Sequence, residues 1–148
     1  MKKTGLNVAV VGATGAVGKE MLRCLSERCF PFANLRLFAS ARSVGRELDC
    51  GGRQYTCEQL SPGCFKDIDF AFFDASDAIS KEWVAEARAA GACVIDNSAT
   101  YRMAPEVELV VPEVNGHVLE QVRKTGNYQG ALFAGPNCTT VQLVVALK

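Results

Sequence analysis

Three glycines spaced by three, Gly12, Gly15 and Gly18, constrain this chain more than any other feature. They follow the apolar run 7–11, which reads as a buried strand. They precede Val17, Met21 and Leu25, whose spacing of four marks one face of a helix. A strand that turns through glycines straight into a helix is the context in which such a loop holds a dinucleotide. Gly12 permits the tight turn, Gly15 lets the backbone approach a pyrophosphate, and Gly18 permits close helix–strand packing. The helix start adds free N–H groups and the positive end of the dipole. A glycine-rich turn that binds nothing is the competing reading, and the flanking strand and helix weigh against it.

The same alternation continues along the chain. Runs 35–39, 70–73, 93–96, 109–111 and 131–134 read as further strands. Ile79, Trp83, Ala87 and Ala90 line a helix that stops at Gly91. Val118, Leu119 and Val122 mark another helix, and Val141, Val144 and Val145 begin a last one. Continuous apolar strands alternating with helices predict the α/β class: a doubly wound, mostly parallel Rossmann-like sheet with helices on both faces. Residues 47–60 break the rhythm, and Gly51-Gly52 beside Tyr55-Thr56-Cys57 suggests a small hairpin.

Composition narrows the function. A chain of 148 residues is one domain. Lys+Arg and Asp+Glu are 16 each, so the zero formal charge argues against a general nucleic-acid binder. Seven cysteines with no Cys-x-x-Cys pair, and a single histidine (His117), give neither a disulfide framework nor a metal site. Reduced, mostly buried thiols in a cytoplasmic protein are expected. Met1-Lys2-Lys3 before the first apolar run faintly imitates a leader, but that run is too short, and no stretch approaches a membrane span. The last helix runs only about two turns before Lys148 without a capping glycine. The expectation is therefore that residues 1–148 belong to a longer protein.

Three further segments carry chemistry. A site for NAD wants an acid about 20 residues beyond the glycines. Here the second strand runs into Ser40-Ala41-Arg42-Ser43 instead. Alone this is an ordinary polar turn; coupled to the glycine loop, a guanidinium between two hydroxyls suits the 2′-phosphate of NADP. Gly135-Pro136-Asn137-Cys138-Thr139-Thr140 lies between a strand and a helix, which puts Cys138 near a helix N-terminus. A thiol there is favoured as the thiolate. Beside a nicotinamide it suggests aldehyde oxidation through a thiohemiacetal and a thioester. Asp96-Asn97-Ser98-Ala99-Thr100-Tyr101-Arg102 also leaves a strand. Arg102 there is either a solvated arginine or a bidentate holder of phosphate or carboxylate.

Taken together, residues 10–18, Ala39-Ser40-Ala41-Arg42-Ser43-Val44-Gly45, Asp96-Asn97-Ser98, Tyr101-Arg102-Met103, residues 110–115 and Pro136-Asn137-Cys138-Thr139-Thr140 resemble the cofactor domain of the aspartate-β-semialdehyde dehydrogenases. The resemblance spans nearly the whole chain, and its late segments are the specific ones. It implies interconversion of L-aspartate 4-semialdehyde, phosphate and NADP⁺ with 4-phospho-L-aspartate and NADPH. In biosynthesis the reaction supplies lysine, threonine, methionine and diaminopimelate. It further implies that Cys138 is the nucleophile, that Asn137 positions substrate and that Arg102 holds the phosphate group. Thr14, Gly15, Ala16 and Val17 would hold the pyrophosphate, and Ser40, Arg42 and Ser43 the 2′-phosphate, with Ser76 near the cofactor.

The family's base histidine, its other substrate contacts and its dimer interface lie in a second domain, so the whole protein is expected to be a homodimer or a dimer of dimers. His117 precedes the cysteine and does not match that base. A C-terminal helix of the family packs back on the cofactor domain, and without it apolar surface is exposed. Residues 1–148 alone are expected to bind NADP without turnover. The rival readings are an N-acetyl-glutamyl-phosphate reductase and a non-catalytic NADP-binding domain. A short-chain reductase fails, because the residues four beyond Tyr55, Tyr101 and Tyr128 are Gln59, Pro105 and Leu132, not lysine.

Overall fold

A computed structural model describes residues 5–148; the Met1-Lys2-Lys3 start lies outside them. The elements run in chain order as β1 (Leu6–Val11), α1 (Ala16–Glu27), β2 (Phe32–Phe38), β3 (Glu47–Cys50), β4 (Arg53–Glu58), β5 (Phe70–Phe73), α2 (Asp77–Ala89) and β6 (Cys93–Asp96). They continue with β7 (Glu108–Leu109), α3 (Pro112–Asn115), α4 (Glu120–Thr125), β8 (Leu132–Ala134) and α5 (Cys138–Leu147). The strands form one sheet in the order β3-β4-β2-β1-β5-β6-β8-β7. Every pairing is parallel except β3 with β4.

This is the expected doubly wound sheet. β1 shows why its sequence is uniformly apolar: Val8 and Val10 pack with Leu22 and Leu25 of α1, while Ala9 and Val11 face the opposite layer with Val84 and Ala87 of α2. Both faces are covered, so alternation is lost. The chain leaves β1 towards β2 on one side, and the next parallel segment returns to β5 on the other. The β1/β5 boundary is therefore the switch point where such sheets bind ligands. The expected hairpin is β3-β4, joined by Gly51 and Gly52, both at positive φ (66° and 81°), as a tight two-residue turn requires.

Several expectations are corrected. The buried face of α1 is Gly18, Leu22 and Leu25, with Val17 57% exposed, not Val17, Met21 and Leu25. Gly18 sets this rotation, because any Cβ there would overlap the Gly12 carbonyl and Ala13 Cα. The buried face of α2 is Ser80, Val84 and Ala87; Ile79 and Trp83 are half-buried and Ala90 is exposed. Ser80 is drawn inward by its hydrogen bond to Asp96. The second strand starts earlier than residue 35, and the strand expected at 109–111 is only Glu108–Leu109. Val111 ends that strand because its N–H donates to Asn115 Oδ1 rather than to a ladder. The helix expected through Val118 and Val122 is broken into α3, a 3₁₀ turn over Gly116–Leu119, and α4, which stops at left-handed Gly126. In α5 no residue is buried, and Val145 is exposed rather than lining a core stripe.

Candidate active site

The β1-α1 loop is built from backbone packing. Gly12 adopts φ +88°, and a Cβ there would overlap the Asp74 carbonyl of the neighbouring β5 end. The Gly12 and Ala13 N–H groups donate to Phe38 O at 2.9 and 3.1 Å, tying the loop to the end of β2. Gly15 N–H donates to Gly12 O at 2.9 Å and α1 begins one residue later, so the first-turn N–H groups at Ala16 and Val17 have no intrahelical acceptor. Beside this loop lies a cleft of about 260 Å³ lined by Gly12, Thr14, Gly15, Ser40, Asp74 and Ile79 among others. Its lining joins the glycine backbone at Gly12 and Gly15 to apolar Phe38 and Leu60, a lining that suits a dinucleotide.

Ser40 lines that cleft, and Arg42 and Ser43 follow it in the same turn. Ser40 opens a 3₁₀ turn over Ala41–Ser43, closed by Ser43 N–H to Ser40 O at 2.8 Å. Arg42 is exposed and makes no hydrogen bond or ion pair among the described residues, so its guanidinium is available. Ser76 is exposed at the cap position of α2, without a side-chain cap bond.

The loop after β6 is held by a buried carboxylate. Asp96 is fully buried; its Oδ1 accepts from Ser80 Oγ at 2.7 Å and its Oδ2 from Ser98 Oγ at 2.7 Å. Asp77 Oδ1 takes Ala99 N–H at 2.8 Å. These bonds fix the path to Arg102, whose Nε donates to Gly135 O at 2.9 Å and whose Nη2 donates to Asn97 O at 2.8 Å. Arg102 is thus anchored on two carbonyls rather than solvated. A Cβ at Gly135 would overlap the Asn97 side-chain Oδ1, so the two loops pack closely there. Asn97 Nδ2 in turn donates to Asp74 Oδ1 at 2.6 Å, joining this loop to the β5 end.

Asn137 caps α5: its Oδ1 accepts from Thr139 N–H at 3.0 Å and from Thr139 Oγ1 at 2.5 Å. Cys138 is the first residue of that helix and is exposed, with Sγ 3.9 Å from Asn137 Oδ1. Gly135, three residues earlier, accepts from Arg102, so the guanidinium and the thiol flank one short loop. The other cysteines separate cleanly. Cys50, Cys57, Cys64 and Cys93 are buried and burial pushes their thiols up, Cys93 to about 11. Cys24 is half-buried and Cys29 is exposed at a turn with φ +48°, so the thiols are mostly, not all, buried.

The structure therefore gathers the glycine loop, the Ser40–Ser43 turn, Ser76, Arg102 and the Asn137-Cys138 pair at the carboxyl ends of parallel strands. The reading of the sequence missed Asp74 and Ser80, and named Asp96 only as the start of the segment that leads to Arg102. The visible signal was an acid ending each of two apolar strands.

Comparison with known proteins places this architecture. Residues 7–122 match the family described as "Semialdehyde dehydrogenase, NAD binding domain". The chain belongs to that family. It is 48% identical over 145 residues to the aspartate-semialdehyde dehydrogenase of Aquifex aeolicus, covering 97% of this chain and 41% of that protein. The Bacillus subtilis protein of the same name is 42% identical, with coverage of 97% and 40%. Among solved structures, aspartate semialdehyde dehydrogenase II of Vibrio cholerae in complex with ASA superimposes with a TM-score of 0.87 at 39% identity, covering 97% of this chain and 45% of that one. The Candida albicans enzyme with NADP gives a TM-score of 0.76 at 26% identity, with coverage of 97% and 46%. The chain spans about two fifths of the length of the curated relatives it matches. Among the described residues no helix is long and apolar enough to cross a membrane, and no cluster of His, Cys, Asp or Glu could hold a metal.

Proposed function

We propose that residues 1–148 are the NADP-binding part of an aspartate-semialdehyde dehydrogenase, with Cys138 as its nucleophile. The observation that carries this reading is the anchoring of Arg102 on Gly135 O and Asn97 O, three residues from an exposed, Asn-capped cysteine. In the oxidative direction the Cys138 thiolate attacks the aldehyde carbon of L-aspartate 4-semialdehyde, forming a thiohemiacetal. Bound NADP⁺ supplies a two-electron acceptor for the hydride lost as that adduct becomes a thioester. The hydroxyl proton leaves to a base outside these residues. Phosphate, held by Arg102, then displaces the thiolate and carries the acyl group away as 4-phospho-L-aspartate. Asn137 orients the substrate beside the thiol.

Ser40, Arg42 and Ser43 receive the 2′-phosphate, Thr14 to Val17 the pyrophosphate, and Ser76 lies alongside. Substrate contacts, the base and the dimer interface belong to a second domain. The whole enzyme is a homodimer or a dimer of dimers, at work in the reducing cytoplasm that its seven unpaired thiols suit. Calorimetric titration with NADP⁺ and NAD⁺, repeated on Arg42→Ala, tests the cofactor half. NADP⁺ binds more tightly, and the substitution lowers that preference about ten- to a hundredfold, as expected for loss of a charged hydrogen bond. Equal affinity for both nucleotides, or an unchanged preference in the variant, overturns it.

A further inference from the structure

Asp74 follows β5 directly, and its backbone is locked: its N–H donates to Val11 O at 2.8 Å and its carbonyl lies under Gly12. Its carboxyl is only half-provided for. Oδ1 takes the 2.6 Å bond from Asn97, but Oδ2 is buried with no hydrogen-bond partner among the described residues. Asp96, one strand over, shows what the fold does for a carboxylate it means to satisfy internally, with serine donors on both oxygens. Buried polar atoms are almost always paired, so an orphan acceptor needs an explanation. Asp74 also lines the cleft formed with Gly12, Thr14, Gly15 and Ser40. The orphan oxygen, itself shielded from solvent, is carried by a residue that lines the cleft.

We propose that Asp74 is a cofactor-contacting residue: when the dinucleotide enters the cleft, a small turn of the carboxyl lets Oδ2 accept a hydrogen bond from one of its hydroxyl or amide N–H groups. The proposal rests on the NADP-binding reading above. The Asn97 bond to Oδ1 tethers the carboxyl, which limits the motion left to Oδ2 and so the ordering that a contact costs. Burial also raises the carboxyl's proton affinity, in keeping with an acceptor that lacks a donor.

The experiment is a calorimetric NADP⁺ titration of the wild-type chain and of Asp74→Asn, with thermal unfolding of both without nucleotide. Asparagine keeps an oxygen for Asn97 and replaces the orphan acceptor by a donor. The expected result is a ten- to hundredfold loss of NADP⁺ affinity, the range for a hydrogen bond to a charged group, with an unfolding midpoint equal to or above that of the wild type. A purely structural Asp74 predicts the opposite pattern, a lowered midpoint with unchanged affinity, and that result overturns the proposal. Wild-type protein that binds no NADP⁺ overturns both this proposal and the reading beneath it. Tight wild-type binding with an unaffected variant removes this proposal alone. Should the variant not fold, the side-chain amide signals of Asn97 in the wild-type NMR spectrum decide: they shift on adding NADP⁺ if Asp74 is engaged, and stationary signals reject the contact.

Discussion

Around β1 and β5 every strand is covered on both faces, and Val8, Ala9, Val10, Ala71 and Phe73 have no accessible surface. Around β8 the same sheet is bordered by a two-residue strand, a helix broken at Gly116, and α5, in which no residue is buried. Yet α5 carries Leu143, Val145 and Leu147, which are 58%, 43% and 75% exposed. The cofactor side completes its own core. The β8 side carries Cys138 on an apolar helix with no buried residue, in which Val141 and Val144 are only half-buried. That difference fits a division of labour in which one half is a self-sufficient scaffold and the other is finished by contacts beyond it.

The comparison breaks first at the scaffold's centre. Phe65 is fully buried and packs 5.7 Å from Phe38 and 5.8 Å from Phe73, measured between ring centroids. Phe65→Ala should cost about 3–5 kcal/mol, read from the urea midpoint at constant slope. A loss below 1 kcal/mol, by the same measure, means this side is not the rigid half. Gly18→Ala comes next. Its Cβ meets backbone atoms of Gly12 and Ala13, which cannot yield as a side chain does. The expected loss is about 1–3 kcal/mol, together with weakened NADP⁺ binding as the loop is displaced. Unaltered stability and affinity refute the close-packing role.

These two positions also show what was legible beforehand. The glycine loop and the Gly51-Gly52 hairpin were readable because each is decided by a few consecutive residues. The rotation of α1 was not, because hydrophobic spacing favours Val17 and Met21, whereas the true contact uses a residue with no side chain. Ser80 escaped for the converse reason: a polar residue is buried because Asp96, sixteen positions on, needs its hydroxyl. The break at Gly116 depends on Asn115 reaching back to Leu109 O and Val111 N, which no periodicity reveals. In the candidate site the residue types could be named from the sequence. The Arg102 anchors and the Asp74–Asn97 bridge could not, since they join segments up to 33 residues apart.

A middle-sized effect tests the seam between the halves. Cys93 starts β6, which pairs with β5 on one side and β8 on the other. Its thiol is pushed up to about 11 by burial, from an unfolded value of 9.0. Between those values the folded state holds a proton that the unfolded chain releases, so stability present below pH 9 is lost as the pH rises towards 11. Cys93 alone contributes a slope of up to about 1.4 kcal/mol per pH unit. Urea titrations at pH 8, 9 and 10 should show the decline, and Cys93→Val should make it shallower. An equal slope in the variant would assign the decline to Cys50, Cys57 and Cys64, whose thiols are raised for the same reason.

The smallest expected effect sharpens the contrast most. Leu22 of α1 is 2% exposed and Leu143 of α5 is 58% exposed, so one residue type sits in the two settings. Leu22→Ala empties a packed site and should cost about 2–5 kcal/mol. Leu143→Ala removes side chain already in water and should stay within about 0.5 kcal/mol. Alanine also has the higher helix propensity, so a slight gain is equally consistent with an uncovered helix. The measurement is a pair of unfolding midpoints at low protein concentration, where association between chains does not contribute. If Leu143→Ala costs as much as Leu22→Ala, α5 has found a partner in solution, and the two halves differ in what covers them rather than in whether they are covered.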